Sequence, residues 1–263
     1  MAVAIGVAIA ALLGLLLFVW LRQEALIFFP QRLAADHPFE LPDVEEVRIA
    51  VEGTMLSALH LKLPDPKGVV FYLHGNAGNL AGWFVDTQTY RAANLDLFMI
   101  DYRGYGKSGG RIRSEAQLHD DVAAAWEAVA HRYRGLRKIV CGRSLGTALA
   151  VRLAARIQPD LTVLVSPFWS MAELARLHYP MLPSRLLRYP LKTFEDIGAI
   201  ANPVLLIHGG RDRLIPLTHS VRLLSVCRDA RLVRIDAGSH NDVQEFASYR
   251  SAIAHAFGQV QRN

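Results

Sequence analysis

Five short, almost unbroken apolar runs, at residues 69–73, 97–100, 138–141, 162–165 and 204–207, alternate with segments of helical periodicity at about 79–93, 114–131, 144–157 and 218–227. A strand with a solvated face alternates polar and apolar residues, whereas one covered on both faces does not, so such runs mark central parallel strands. Strand alternating with helix builds right-handed βαβ units and a doubly wound, mostly parallel sheet with helices on both faces. A further strand at 232–235 and a last helix at about 242–257 complete the pattern. Ahead of it, residues 44–51 and 56–63 alternate around Glu52-Gly53-Thr54, which predicts an opening antiparallel hairpin. With 52% apolar and 20% charged residues the chain can fill a large core, and residues 43–263 are expected to form one α/β domain.

Residues 1–21 carry no charged side chain. That length matches the ~20 residues a helix needs to cross ~30 Å of hydrocarbon, and Trp20 stands where an interfacial aromatic belongs. A cleaved secretory signal would have a basic start and a small-residue cleavage site, and neither is present; an uncleaved anchor is the expectation. Residues 22–42 then form a juxtamembrane linker or docking arm with an apolar patch at Leu26-Ile27-Phe28-Phe29-Pro30. Arg22 and Arg32 follow the anchor, so the positive-inside bias puts the folded body of the chain in the cytoplasm.

The net charge of +5 is spread along the chain and forms no stripe of the kind nucleic acid requires. Its densest cluster, Arg132, Arg134, Arg137 and Lys138, reads as a solvated helix end and turn, with attraction to anionic headgroups as the other reading. Cys141 and Cys227 are the only cysteines and imply no disulfide scaffold; Cys141, within an apolar run, reads as a small buried hydrophobe.

The chemistry is concentrated in loops after the strands. Gly142-Arg143-Ser144-Leu145-Gly146 follows one apolar run and opens a helix, the context G-x-S-x-G needs to expose a serine on a sharp turn. A serine is a weak nucleophile unless an imidazole takes its proton and a carboxylate orients that imidazole. In chain order the partners follow: Asp212 in the loop His208-Gly209-Gly210-Arg211-Asp212, then His240 in Gly238-Ser239-His240-Asn241. Asp196, Asp236, Asp242 and Glu245 are the rival acids, and Asp242 reads as a cap for the last helix. His208 reads as a strand-end histidine under the acid loop, and His119, His131, His219 and His255 as solvated helix residues. For the oxyanion hole, Leu145 N–H supplies one donor, and the small residues of His74-Gly75-Asn76-Ala77-Gly78-Asn79 point to Asn76 N–H for the other, with Ala77 second. His74 reads as a brace for that loop, and Asp101 to Ser108 as a structural turn beside the pocket.

On these residues the chain resembles the α/β-hydrolase superfamily, in its serine-hydrolase branch. Within that branch it is similar to the single-domain, membrane-anchored group with HGNAGN-like and DYRGYGKS-like loops. The resemblance implies an α/β-hydrolase fold with a short cap, at residues 167–194, and a substrate class like that of acyl-protein thioesterases and lysophospholipases. Within the cap segment, Phe168, Trp169 and Met171 are candidates to line an acyl pocket, core packing being their other use.

The expected activity is hydrolysis of carboxylic esters or thioesters of small acyl or lipid-like substrates. No metal or organic cofactor is needed for it, and no ligand set has metal spacing. A peptidase of the same fold and a non-catalytic membrane scaffold are the competing readings. The first lacks an acidic cluster in the cap segment for a peptide amine, and the second has no use for Ser144, Asp212 and His240 together. The orientation is directly testable: a phosphatase fused after Asn263 that works only outside the cytoplasm is expected to be silent, and an active fusion would reverse the assignment.

Overall fold

The computed structural model describes residues 1–259. It opens with α1 (Ala2–Leu21), 20 residues with none buried, long and apolar enough to cross a membrane, followed by α2 (Gln23–Ile27). The hairpin β1 (Val44–Val51) and β2 (Thr54–Leu61) leads into β3 (Gly68–Leu73). One helix was expected over 79–93, and two are found, α3 (Leu80–Trp83) and α4 (Gln88–Ala93). Asp86, with φ +51°, lies in the left-handed region between them and ends the helical path.

The rest alternates as the pattern predicts. β4 (Asp96–Ile100) is followed by α5 (Glu115–Ala130), and β5 (Arg137–Arg143) by α6 (Leu145–Ile157). After β6 (Leu161–Val165) come α7 (Met171–His178) and α8 (Thr193–Ile197). β7 (Val204–Gly209), α9 (Thr218–Val226), β8 (Ala230–Ile235) and α10 (Ala247–Gln259) close the chain. Ser114 caps α5 by accepting from Gln117 N at 3.1 Å, and Ser170 caps α7 by accepting from Glu173 N at 3.2 Å. The last helix starts at Ala247 rather than near 242, because Asp242 turns its carboxylate back to Ser239 N (2.6 Å) and a single 3₁₀ turn at Val243–Glu245 intervenes.

The eight strands run in the order β8-β7-β6-β5-β3-β4-β2-β1. The pairs β1/β2 and β2/β4 are antiparallel and all others parallel. Successive side chains alternate between two cores: Val69, Phe71 and Val140 lie on the α5/α6 side, and Val70, Ile139 and Cys141 on the α4/α10 side. A doubly wound sheet opens its crevice where the chain reverses direction, here between β3 and β5. The register makes this concrete. Leu73 pairs with Gly142, Arg143 with Val165, Val165 with Ile207, and Gly209 with Ile235, so the loops leaving β3, β5, β7 and β8 share one rim.

Two glycines let that rim close. A Cβ on Gly146 would lie 2.0 Å from Leu73 O, and one on Gly142 would lie 2.4 Å from Gly146 O, both against backbone that cannot step aside. Gly146→Ala is therefore expected to lose about 3 kcal/mol or to fail to fold, beyond ordinary overpacking. Gly82→Ala, where nothing lies within 4 Å, should be neutral or mildly stabilising. Thermal melts of the two variants check the contrast.

Candidate active site

Ser144 sits between β5 and α6 with φ +51° and ψ −119°, a region that a side-chain-bearing residue enters only under strain. Its N–H is tied to Val165 O at 2.9 Å, and its carbonyl accepts from Thr147 N (2.9 Å) and Thr147 Oγ1 (2.6 Å). The turn is thus held at both ends. Leu145 opens α6, where a backbone N–H has no partner inside the helix.

His240 Nδ1 lies 2.7 Å from Asp212 Oδ2, and His240 Nε2 lies 3.1 Å from Ser144 Oγ. A carboxylate only accepts, so the Nδ1 proton belongs to the Asp212 bond and Nε2 is left to accept from the serine hydroxyl. The structure therefore brings Ser144, Asp212 and His240 into one hydrogen-bonded chain. Asp212 is fully buried at its side chain. Burial alone would raise its carboxyl; His208 and His240, together with Ile215 N–H, outweigh it and hold the group well below the ordinary 3.8. Its Oδ1 accepts from Leu214 N (3.0 Å) and Ile215 N (2.7 Å).

His208 occupies the position of a brace under this loop. Its Nε2 donates to Ile215 O (2.7 Å) and lies 3.5 Å from Asp212 Oδ2, while its Nδ1 accepts from Ser220 Oγ at 2.7 Å. The rival acids are engaged elsewhere: Asp236 with Arg234, Asp196 with Arg152, and Asp242 with Ser239 N. Asp242 does not cap α10, as described above.

The loop after β3 lies directly against the serine, since a Cβ on Gly75 would come within 3.7 Å of Ser144 Cβ. Its peptides are fixed through their carbonyls. Gly75 O, in the peptide that carries Asn76 N–H, accepts from His74 Nδ1 at 2.6 Å. Asn76 O, in the peptide that carries Ala77 N–H, accepts from Tyr105 Oη (2.7 Å) and Phe29 N (2.8 Å). His74 O accepts from Tyr102 Oη at 2.8 Å. In a planar trans peptide, fixing C=O fixes N–H, so both candidate donors are preorganised.

Two contributors were missed in the sequence. Arg143, the first variable residue of the G-x-S-x-G motif, donates from Nη2 to His240 O (3.0 Å) and lies 5.4 Å over the Trp83 ring, linking the serine turn to the histidine loop. Nothing local could reveal a partner 97 residues away. The other is the contact of the arm, read above as a linker or docking arm, with the β3 loop: Asn76 Nδ2 donates to Ile27 O at 2.9 Å, and Phe29–Pro30 pairs in parallel with Ala77–Gly78. His219, expected to be solvated, is buried, because its face of α9 turns toward the cap segment and its Nδ1 accepts from Trp169 N at 3.1 Å. That burial lowers its pKa.

Of the pocket candidates, Phe168 is only 1% exposed and shares a core with Leu145 and Tyr189, so it backs the site rather than lining a cavity. Trp169 stacks on Phe194 with centroids 4.8 Å apart, and Met171 packs against the same core, both half-buried. A cavity of about 320 Å³ opens beside Arg143 and Asn241, bordered by Trp83, Tyr90 and Tyr249. Cys141 is buried, which pushes its thiol far above its ordinary value and leaves it unreactive. Among the described residues no three His, Cys, Asp or Glu side chains are placed to hold a metal.

The family model described as "Serine aminopeptidase, S33" matches residues 64–197. Alpha/beta hydrolase domain-containing protein 17B of Homo sapiens is 32% identical over 216 residues, 79% of this chain and 73% of the relative. Uncharacterized protein Rv2307c of Mycobacterium tuberculosis is 35% identical over 250 residues, 90% of this chain and 87% of the relative. An esterase of Pyrococcus furiosus superposes with a TM-score of 0.70 at 19% identity, covering 87% of this chain and 96% of that one. Est1E from Butyrivibrio proteoclasticus, bound to ferulic acid, gives 0.67 at 19% identity, with 81% and 97% covered. At such identities these solved structures speak to fold.

The depressed Asp212 carboxyl has a measurable consequence. A folded-state pKa below the unfolded one contributes stability that is present above about 3.8 and is lost as the pH falls toward the folded value. Asp212→Asn should lower stability at pH 7 by about 1–3 kcal/mol and flatten the acid limb below pH ~4. Urea midpoints of both proteins across that range read it; identical acid limbs would contradict the assignment.

Proposed function

The chain belongs to the α/β-hydrolase superfamily, and on that premise we propose that it is a serine hydrolase cleaving carboxylic esters or thioesters of acyl or lipid-like substrates through an acyl-enzyme. The observation that carries this is the continuous hydrogen-bonded path Ser144 Oγ, His240, Asp212, at 3.1 and 2.7 Å.

In this reading His240 Nε2 takes the Ser144 proton as Oγ attacks the substrate carbonyl carbon. Asp212 keeps the imidazole in the Nδ1–H tautomer and stabilises its protonated form. The carbonyl oxygen becomes an anion between Leu145 N–H and Asn76 N–H, with Ala77 N–H as the second choice. Collapse of the tetrahedral species expels the alcohol or thiol, which leaves with the proton from His240, and Ser144 is left acylated. Water then gives its proton to His240, attacks the acyl carbon, and releases the acid as Ser144 recovers its hydrogen.

Membrane placement supports the lipid-like substrate class. We read α1 as an uncleaved anchor with the body on the cytoplasmic side, which holds the site near acyl chains. Trp169 and Met171, both half-buried, remain this reading's candidates in the cap segment to border an acyl group. Aminopeptidase activity, suggested by the family model's description, needs a free carboxylate for the substrate amine. The one carboxylate of the cap segment, Glu173, is already paired with Arg222. Ester chemistry is favoured for that reason.

A fluorophosphonate probe should label the full-length protein and fail to label Ser144→Ala; undiminished labelling of the variant would reject the nucleophile. His240→Ala should lower kcat on p-nitrophenyl esters by about 10⁴-fold or more. A series of increasing acyl length on the same assay sizes the pocket.

A further inference from the structure

A second cavity, of about 690 Å³, lies between the juxtamembrane arm, the loops at Arg103–Gly104 and Arg111–Arg113, and Arg188 of the cap segment. None of Ser144, Asp212 and His240 borders it. Six of its lining residues are arginines, Arg22, Arg32, Arg103, Arg111, Arg113 and Arg188, against one carboxylate, Glu24.

Three of those guanidinium groups are already oriented. Arg103 is bound by Asp121 through Nε and Nη2 (2.5 and 2.8 Å), Arg32 Nη2 donates to Gly110 O at 3.1 Å, and Arg188 Nη2 holds Glu24 at 2.6 Å. Glu24 is further satisfied by Tyr189 Oη at 2.6 Å, so its charge is balanced in place. Arg22, Arg32, Arg111 and Arg113 have no carboxylate partner among the described residues, and the buried Arg188 Nε has no hydrogen-bond partner among them. Fixed guanidinium forks with spare N–H groups fit a phosphate better than any other common anion.

The position selects the source of that phosphate. Leu21, the last residue of α1, and Arg22 both border the cavity, and Phe28, Phe29 and Ile112 add an apolar wall. If α1 spans a bilayer, as read above, the cavity opens at headgroup depth. There an anionic lipid brings a phosphate to the arginines and a glycerol backbone to the apolar side. We propose that this cavity binds the headgroup of an anionic phospholipid, in a site separate from the one assigned to hydrolysis.

The proposal rests on the anchor reading and not on the hydrolase reading, and one experiment separates them. The full-length chain, carrying Ser144→Ala so that an ester probe is not turned over, is extracted in a non-ionic detergent. It is titrated by native mass spectrometry with dioctanoyl phosphatidylglycerol, dioctanoyl phosphatidylcholine or glycerol 3-phosphate. The mass of the chain reports whether residues 1–21 are retained, independently of any adduct.

Phosphatidylglycerol should bind at least tenfold more tightly than the other two. Arg111→Gln with Arg113→Gln, two exposed side chains, should weaken it by about 25-fold, given the roughly fivefold worth of each basic residue at an anionic surface. Arg132→Gln with Arg134→Gln removes the same charge elsewhere and should leave the affinity unchanged. Arg22→Gln provides a second local test should the double variant misfold. Equal affinity for phosphatidylcholine, equal loss in the control pair, or no loss at Arg111, Arg113 and Arg22 would overturn the site; glycerol 3-phosphate binding as tightly as the lipid would overturn its membrane source.

Discussion

At Gly146 the chain passes so close to the end of its neighbouring strand that a single added carbon would lie 2.0 Å from Leu73 O. This approach is the constraint on which the rim depends. It brings the first turn of α6 against the β3 loop, with Ser144 at the head of that turn at a positive φ of 51°. Backbone held in such a region costs on the order of 1–3 kcal/mol, and the surrounding bonds supply the restraint: Ser144 N to Val165 O on one side, and Thr147 to Ser144 O on the other. The same contact places Gly75 beside the serine side chain. One close approach thus sets both the serine turn and the loop that lies against it.

The second requirement is electrostatic. A buried carboxylate without partners would take up a proton and cease to orient an imidazole. Asp212 avoids this by accepting from two backbone N–H groups through Oδ1 and from His240 through Oδ2, with His208 near by. His208 is itself held by Ser220 and Ile215 O, so a second ring braces the acid loop from below. Sites of this kind gain precision from groups that never meet the substrate, and here those groups come from β7 and α9.

The sheet was legible because continuous apolar runs admit few alternatives, and because each motif residue follows a strand. Ser144, Asp212 and His240 could be chosen by order and context. Less legible were features decided by contacts between distant segments. Asp242 looked like a helix cap by sequence distance, but Ser239 N–H, three residues back, was the nearer donor. His219 fell on a helix that reads as solvated, and only the fold of the cap segment buries it. Phe168 follows a strand in a greasy stretch, where a pocket lining and a core residue have the same pattern; the fold leaves it 1% exposed, within the core. Arg143 occupies a position that any residue type could fill, and its bond to His240 O exists only in three dimensions.

The arm carries the same argument to the membrane. Residues 22–42 have the composition of a linker, yet Gln23 bonds Leu186 O and Arg188 N, Ile27 O and Phe29 N both bond Asn76, and Gln31 bonds Gly78 and Gly106. Three separate segments therefore converge on one short stretch immediately after α1. A linker that merely tethered the domain would leave these backbone groups to water, at little cost. Satisfying them on the loop beside Ser144 couples the exit of the first helix to the segment that lies against the serine. Any displacement of the arm must then be shared by Asn76, because Phe29 N and Tyr105 Oη grip the same carbonyl.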